Sequence, residues 1–453
     1  MGLVKRPGIS IGLLDHEIHV IRYVTAEPSI VVSPLIPQPL IKPSLIDYSI
    51  RVSRTEESPI SIVQLPIVKM NIRNLHRPSV DVGMVTPILQ SIAPDGDLMR
   101  ALGLGLEVHG HVIPPGPSSL FNCEGTTIIQ YPGEYCDKGL DESLAMLAVE
   151  LERIFCGKSY DPRYVMIDDE DIDFLIRDEG VYVIRGRSAD NNVPERVGLV
   201  FKRFIGYGPK VIIISDKLLN SLGIVKPSIL VRVNEVNENA LRAFARAYTG
   251  FASGRYCDDM PRGVDALASA RLCLGSRLRD SVGWVLAHVP HKLRPSVGGV
   301  ESEAHLSLKA AVIRYLIEGL GLKAEDFQVE DEVEDGECGG AKPDIWISSK
   351  SVAIDVKSSV GALPTNELID AVKKYIGCGE VWGEVWVVYR PIAALLFAQP
   401  LIKTLEVLQK KHPDRRVRVM VPMYNRERQI YELTELKDFL EALREELMTG
   451  GRS

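Results

Sequence analysis

Two aspartates and a lysine, Asp344, Asp355 and Lys357, lie in a stretch whose spacing brings them together. It reads Pro343-Asp344-Ile345-Trp346-Ile347, then Ser348-Ser349-Lys350-Ser351, then Val352-Ala353-Ile354-Asp355-Val356-Lys357. Two apolar runs about a short polar turn make the pattern of a β-hairpin. Folding about Ser349 and Lys350 sets Ile347 opposite Val352, Trp346 opposite Ala353, Ile345 opposite Ile354 and Asp344 opposite Asp355. Side chains alternate between the faces of a strand. One face therefore carries Ile345, Ile347, Val352, Ile354 and Val356, an aliphatic surface for a core. The other carries Asp344, Trp346, Ala353, Asp355 and Lys357. Opposed residues hold their Cβ atoms about 4.5–5.5 Å apart, where like charges destabilise a sheet. Two carboxylates held so close need a cation, a shared proton, or both. Carboxylates beside an amine suit a hard ion such as Mg²⁺, which keeps several waters and takes one or two carboxylates. The bland alternative is an exposed hairpin face with a Lys–Asp pair. Ser-Lys is not a favoured two-residue turn, but a longer loop preserves the same pairing.

Pro343-Asp344, ten residues, then Asp355-Val356-Lys357 resembles the signature of the PD-(D/E)xK nuclease superfamily. The resemblance covers about residues 300–450. It implies a restriction-endonuclease-like αβββαβ core with a glutamate on its first helix. By that resemblance Asp344, Asp355 and the Val356 carbonyl bind Mg²⁺ or Mn²⁺, with Glu303 contributing directly or through water. Lys357 orients or deprotonates the attacking water, and the product is a cleaved phosphodiester, most readily of DNA. RecB-like relatives carry a Gln four residues before a Tyr, where this chain has Ala371 before Tyr375. That departure leaves the branch of the superfamily open. The alternatives are a ligand-regulated nuclease of DNA or RNA and a non-cutting nucleic-acid-binding or scaffold subunit, and a homodimer is open.

The elements that must position these residues follow from periodicity. Ser302 suits an N-cap, and Leu306, Ala310, Ile313, Ile317 and Leu320 form an apolar stripe at helical spacing, with Glu303 at its head. Glu301 shares a neighbouring face with Leu308 and Val312 and is the second choice for the helix carboxylate. Phe327–Val333 reads as a first strand ahead of the hairpin. A helix from Thr365 has Leu368, Val372 and Tyr375 on its core side. Val385–Tyr389 and Arg416–Val421 read as strands, Leu401–Lys411 and Glu432–Leu447 as helices. Lys373, Lys374, Lys410, Lys411, Arg415 and Arg416 are the expected phosphate contacts, since Lys and Arg on phosphates supply most non-specific nucleic-acid binding.

Across all 453 residues the expectation is an α/β protein of three regions. Residues 1–140 are proline-rich and read as short strands, among them Ile9–Leu13, Glu17–Val24 and Ile60–Val68. Residues 141–290 alternate helix and strand in a Rossmann-like order: helix Leu140–Cys156, then strands Tyr164–Ile167, Val181–Ile184, Val211–Ile214 and Ile229–Val233, with helices Lys217–Leu222 and Glu238–Phe251. Residues 291–300 form a linker, and 301–453 the nuclease-like domain. His109 and His111 share a strand face without a third ligand, and the acidic run Asp168–Asp173 reads as a solvated loop. Residues 253–280 are locally basic. Net charge is −7, so any nucleic-acid affinity must come from a local patch. Seven scattered cysteines with no Cys-x-x-Cys suggest neither a disulfide framework nor a zinc ribbon, and a reducing cytoplasm is expected. No apolar run is long enough to span a bilayer, so no membrane partner is expected.

Overall fold

The structure, a computed structural model, describes residues 9–11, 18–20, 50–52, 98–108, 111–113, 123–158, 160–167, 178–186, 210–221, 229–253, 257, 263–295, 302–330, 341–376 and 382–449. The chain divides into two compact units, residues 1–82 and 83–453. In the first, β1 (Ile9–Ile11), β2 (Ile18–Val20) and β3 (Ile50–Val52) form a three-stranded sheet in that order. The strand expected at Ile60–Val68 lies outside the described residues, as do His109, Asp168–Asp173, Glu301, Cys338 and Cys378.

The second unit opens with β4 (Leu104–Val108), β5 (His111–Ile113) and β6 (Thr126–Tyr131), followed by helix α1 (Leu140–Cys156). Then come β7 (Arg163–Met166), β8 (Gly180–Arg185), β9 (Lys210–Ser215) and β10 (Ile229–Val233). Helices α2 (Glu238–Tyr248) and α3 (Ala266–His288) close this half. The strands make a seven-stranded sheet, ordered β5-β4-β10-β6-β9-β8-β7. Strands β10, β6, β9, β8 and β7 run parallel, with β4 and β5 antiparallel at one edge. A parallel strand is covered on both faces, which is why β9 reads as an unbroken Val-Ile-Ile-Ile run and is buried throughout. Strands β4 to β6, which the sequence groups with the proline-rich region, belong to this sheet because their partners β10 and β9 lie far downstream.

The remaining elements build a second sheet. Helix α4 (Glu303–Arg314) leads to β11 (Phe327–Val329), β12 (Ile345–Ile347) and β13 (Val352–Lys357). Helix α5 (Pro364–Ile376), β14 (Glu384–Tyr389), a short helix at Pro391–Leu396 and α6 (Ala398–Lys411) follow. Strands β15 (Arg416–Asn425) and β16 (Ile430–Glu435) precede the last helix, α7 (Leu436–Thr449). The six strands lie in sequence order, with β13, β14 and β15 parallel and the others antiparallel. The molecule is thus mixed α/β, as its periodicities imply. The single helix expected over Glu432–Leu447 is corrected: its first residues are strand, because β16 pairs along β15 from Met420↔Glu435 to Asn425↔Ile430.

Two hydrophobic layers sandwich the second sheet. Ile345, Ile347, Val352, Ile354 and Val356 pack with Leu308, Val312 and Ile313 of α4 and with Leu316 just after it. Ala353, Val385 and Val387 face Leu368, Ala371 and Val372 of α5 and Leu401 of α6 on the other side. That second layer continues without a break into α1, α2 and α3, so both sheets share one core. Leu293, inside the expected linker, and Val289, just before it, are buried in the same layer as α4.

The cysteines also differ from expectation. Cys123 bonds to Cys156 and Cys257 to Cys273. Neither pair carries a spacing motif, the partners standing 33 and 16 positions apart, so only the fold reveals them.

Candidate active site

The hairpin adopts the register its alternation predicts: Ile345↔Ile354, Trp346↔Ala353 and Ile347↔Val352. Ser348–Lys350 forms a helical turn and Ser351 takes φ +51, the longer loop that spares an unfavoured two-residue turn. Neither side of β13 is a solvent face, since α4 and α5 cover it, and Asp355 is only 3% exposed.

Asp344 stands one residue before the β12 ladder. Its Oδ2 accepts from the Val356 amide at 2.7 Å, so it is tied to the peptide bond that follows Asp355. Its Oδ1 lies 3.2 Å from the Lys309 ammonium and 3.6 Å from His305 Nε2, both on α4. Lys309 also donates to Glu330 Oε1 at 2.6 Å. Asp355 is held from elsewhere. Its Oδ1 accepts from the Tyr375 hydroxyl of α5 at 2.9 Å, with the Lys374 ammonium 3.7 Å away. Lys357 Nζ is 2.5 Å from its Oδ2. The opposed carboxylates do not share one cation. Asp344 takes its counter-charge from α4 and Asp355 from Lys357 on its own strand and Lys374 on α5, and they meet at one peptide group.

Burial alone would raise the Asp344 carboxyl, but His305, Lys309 and the Val356 amide outweigh it and hold it well below the usual carboxylate range. Burial pulls the Lys357 ammonium down, yet the adjacent Asp355 more than reverses this, so its pKa is raised. Lys357 is therefore a firm cation here rather than a ready base. Nearby Glu367 accepts from the Ser359 hydroxyl at 2.6 Å; burial raises its carboxyl, against the pull of Ser359 and Lys357.

The other expected residues divide. Ser302 caps α4 by accepting from the His305 amide, and Glu303 is exposed in the first turn, where its charge complements the helix dipole. Of the expected stripe Ala310 and Ile313 are buried, and Leu308, Val312 and Leu316 complete the buried face, while His305 and Lys309 reach Asp344. Lys374 joins the site and also donates to the Lys342 carbonyl; Lys373 is exposed beside Asp370. Lys410 and Lys411 are exposed at the end of α6, while Arg415 donates to the Trp382 carbonyl and Arg416 lies near Glu384 and Glu435. Arg416 pairs with Glu384, and Val387 with Asp355, so this stretch lies at the opposite end of the strands. Three residues along and two strands across separate the rows, roughly 14 Å.

Sequence reasoning missed His305, Lys309, Glu330, Glu367 and the hydroxyl of Tyr375. One signal was present: Lys309 sits inside Leu308-Lys309-Ala310-Ala311-Val312-Ile313, where a wholly buried lysine requires partners. A polar cavity of about 190 Å³, lined among others by Arg277, Arg314, Tyr424 and Gln429, involves none of these side chains.

The donor set fits one hard divalent ion. Asp355 Oδ2 is buried against the Lys357 ammonium, and Asp344 is tied to the Val356 amide that follows Asp355. In a strand the amide and carbonyl of one residue face the same neighbour, so the Val356 carbonyl points to the same edge. No group of three or more His, Cys, Asp or Glu side chains that could hold a metal occurs among the described residues, and an ion that keeps its waters needs only one or two carboxylates. Among the described residues no helix is long and apolar enough to cross a membrane. Comparison with protein-family models, curated proteins and solved structures found no match to this chain.

Proposed function

We propose that the six-stranded half of the chain is a metal-dependent nuclease that hydrolyses phosphodiester bonds, most readily in DNA. The proposal allies it with the PD-(D/E)xK nucleases, whose αβββαβ order α4, β11, β12, β13, α5 and β14 follow. One observation carries it: a hairpin register that ties Asp344 to the Val356 amide, with buried Asp355 and cationic Lys357 on either side. Asp355, Asp344 and the Val356 carbonyl would hold Mg²⁺ or Mn²⁺. Such an ion lowers the pKa of a bound water and stabilises charge on a phosphate. Lys357 would orient the water and offset the charge that builds on the phosphate oxygens, a task for a compact ammonium. Tyr375 and Lys374 fix Asp355, while His305 and Lys309 fix Asp344. Exposed Glu303 is left out of this set, and Lys373 and Lys374 are the better placed of the expected phosphate contacts.

The test is incubation of the full chain with Mg²⁺ or Mn²⁺ and linear, branched, single-stranded and circular DNA, with RNA in parallel. Asp355→Ala and Lys357→Ala should abolish cleavage while circular dichroism stays native. Wild-type cutting by either variant refutes the assignment. Nucleic-acid binding without cleavage or metal uptake points instead to a scaffold subunit.

A second reading, control by a ligand of the seven-stranded sheet, is favoured by one contact. The segment just after Lys357 is bonded to α1: Gly361 donates to the Arg153 carbonyl at 2.9 Å, and Arg153 Nη2 to the Ser358 carbonyl at 3.1 Å. Cleavage that requires an added nucleotide would support this reading, and equal rates with and without a nucleotide panel would count against it.

A further inference from the structure

We propose that the polar cavity enclosed by α3, α4 and the β15–β16 hairpin is a phosphate-binding site, separate from the Asp344–Asp355 cluster. The phosphate is either one in the backbone of a nucleic-acid strand or a free one.

The cavity has a volume of about 190 Å³. That is below the roughly 300–1,000 Å³ of a pocket for a drug-sized molecule and suits one small polar group. Two guanidinium groups line it from different helices: Arg277 of α3, in the locally basic stretch 253–280, and Arg314, the last residue of α4. Among the described residues Asp280 is the only acid on its wall, so the lining carries a net positive charge. Tyr424 of β15 and Gln429 of the hairpin turn add a phenol and an amide.

Both guanidinium groups are oriented, and neither is used up. Arg277 lies over the Tyr424 ring at 5.2 Å and Arg314 over the Trp284 ring at 5.4 Å, and stacking on an aromatic face fixes the plane of the fork. Arg277 gives Nη2 to the Ser253 carbonyl at 2.5 Å, has Nη1 3.4 Å from Asp280, and keeps Nε buried without a hydrogen bond. Arg314 gives Nε to Glu318 at 2.5 Å, which leaves its paired Nη groups. The side chains of Asp280 and Glu318 are 56% and 35% exposed, and ion pairs with so much solvent hold weakly. A phosphate offers oxygens on several sides and is met bidentately by arginine, so forks from two helices suit it better than a planar carboxylate.

Helix α4 connects this cavity to the candidate active site. His305, beside Asp344, and Arg314 are nine residues apart on it, about 14 Å at the helical rise. Duplex DNA rises about 3.4 Å per base pair, so a backbone phosphate held at Arg314 would sit about four base pairs from one at Asp344. That placement rests on the nuclease reading above; the phosphate site itself does not.

The experiment uses the full chain in EDTA, so that cleavage plays no part. One arm compares Tm in inorganic phosphate with Tm in sodium chloride of equal ionic strength. The other follows binding of a short fluorescent oligonucleotide, single-stranded and duplex, by anisotropy over a range of salt. Phosphate should raise the Tm of the wild type, and Gln429→Glu, which sets an exposed acid at the cavity, should abolish that rise. Arg314→Gln should abolish it too. If a strand supplies the phosphate, Arg314→Gln should also weaken oligonucleotide binding about tenfold and lower the slope of log K against log salt by about one, as loss of one phosphate contact does. A Tm rise lost in the variants with oligonucleotide binding unchanged assigns the site to a free phosphate; weakened oligonucleotide binding assigns it to a strand. A rise that both variants keep is the general effect of an excluded salt, and with oligonucleotide binding also unchanged it overturns the inference. No rise in the wild type, with oligonucleotide binding equal in all three proteins, overturns it as well. Gln429 is exposed, so its variant decides should Arg314→Gln fail to fold. A wild type that binds phosphate through these residues yet cuts neither DNA nor RNA loses the nuclease reading alone.

Discussion

Asp344 draws its counter-charge from α4 and Asp355 from Lys357 of its own strand and Lys374 of α5, and this division sets what single substitutions do. Tyr375→Phe deletes the hydroxyl on Asp355 Oδ1 and leaves the ring against Trp382. Losing a group that orients a metal-binding carboxylate costs about 10–100-fold in affinity. Mn²⁺ titration of Tyr375→Phe should show a weakening of that size, and unchanged affinity would detach Tyr375 from the site. Away from the site, burial pushes the Glu152 carboxyl up to about 7, with Lys158 opposing and Glu179 adding to the rise. Its Oε2 is buried without a hydrogen-bond partner. An unfolded glutamate titrates near 4.5, so between these values the native state holds a proton the unfolded state has lost. Stability therefore falls as pH rises through that window, by roughly 2–3 kcal/mol once pH 8 is reached. Glu152→Gln should narrow the Tm gap between pH 5 and pH 8 and change little at pH 5; an unaltered gap would rule this out. At this scale the hairpin was legible, because a period of two fixes which side chains oppose. Lys309 and Glu330 were not, since a lysine in an apolar run does not announce which carboxylates, a turn and a strand away, will meet it.

Elements are joined by polar ties that local sequence cannot show. Arg390, just past β14, donates to both carboxylate oxygens of Glu150 on α1 at 2.9 and 3.1 Å, and Tyr248 of α2 donates to the same group. Burial raises the Glu150 carboxyl, and Arg390 with Arg153 more than offsets this, leaving it lowered. Removing one partner strands a buried charge, which costs about 3–5 kcal/mol. Arg390→Ala should lose that much in urea unfolding, and a loss below about 1 kcal/mol would mean the pair is not buried in solution. The disulfides act on the unfolded chain. Closing loops of 16 and 33 residues is worth about 3 and about 4 kcal/mol in the chain-entropy account. Reduction should lower the Tm, and an unchanged Tm would mean the thiols are unpaired. Helix α1 was legible to the residue, because its apolar spacing is strong and glycine follows it. Helix α3 was overlooked: its buried positions Leu267, Ala270, Leu274, Leu278, Ser281 and Val285 keep helical spacing, but small residues and arginines mask the stripe.

On the scale of the molecule, the expected boundary near Pro290 is not a free hinge. Val285, Val289 and Leu293 pack under α4, and one core runs from α1 and α3 into α5 and α6. A fragment of residues 301–453 should therefore lack a cooperative unfolding transition, and a sharp transition in that fragment would contradict a shared core. The sequence marks α/β alternation in each half, since each strand and helix writes its own period. It does not mark that the halves are fused, because the surfaces that fuse them look like ordinary apolar faces.

Behind Lys357, two glycines in left-handed conformations touch: Gly157 at φ +69 ends α1, Gly361 at φ +65 ends the segment after β13, and a methyl built on either would meet the other's Cα at 3.2–3.3 Å. No side chain cushions this contact, so backbone rests on backbone. A nudge to the end of α1 is thus transmitted as rigid displacement rather than absorbed by rotamers. A single added methyl, as in Gly157→Ala, would press on the backbone of Gly361, four residues past Lys357, from outside the charged cluster.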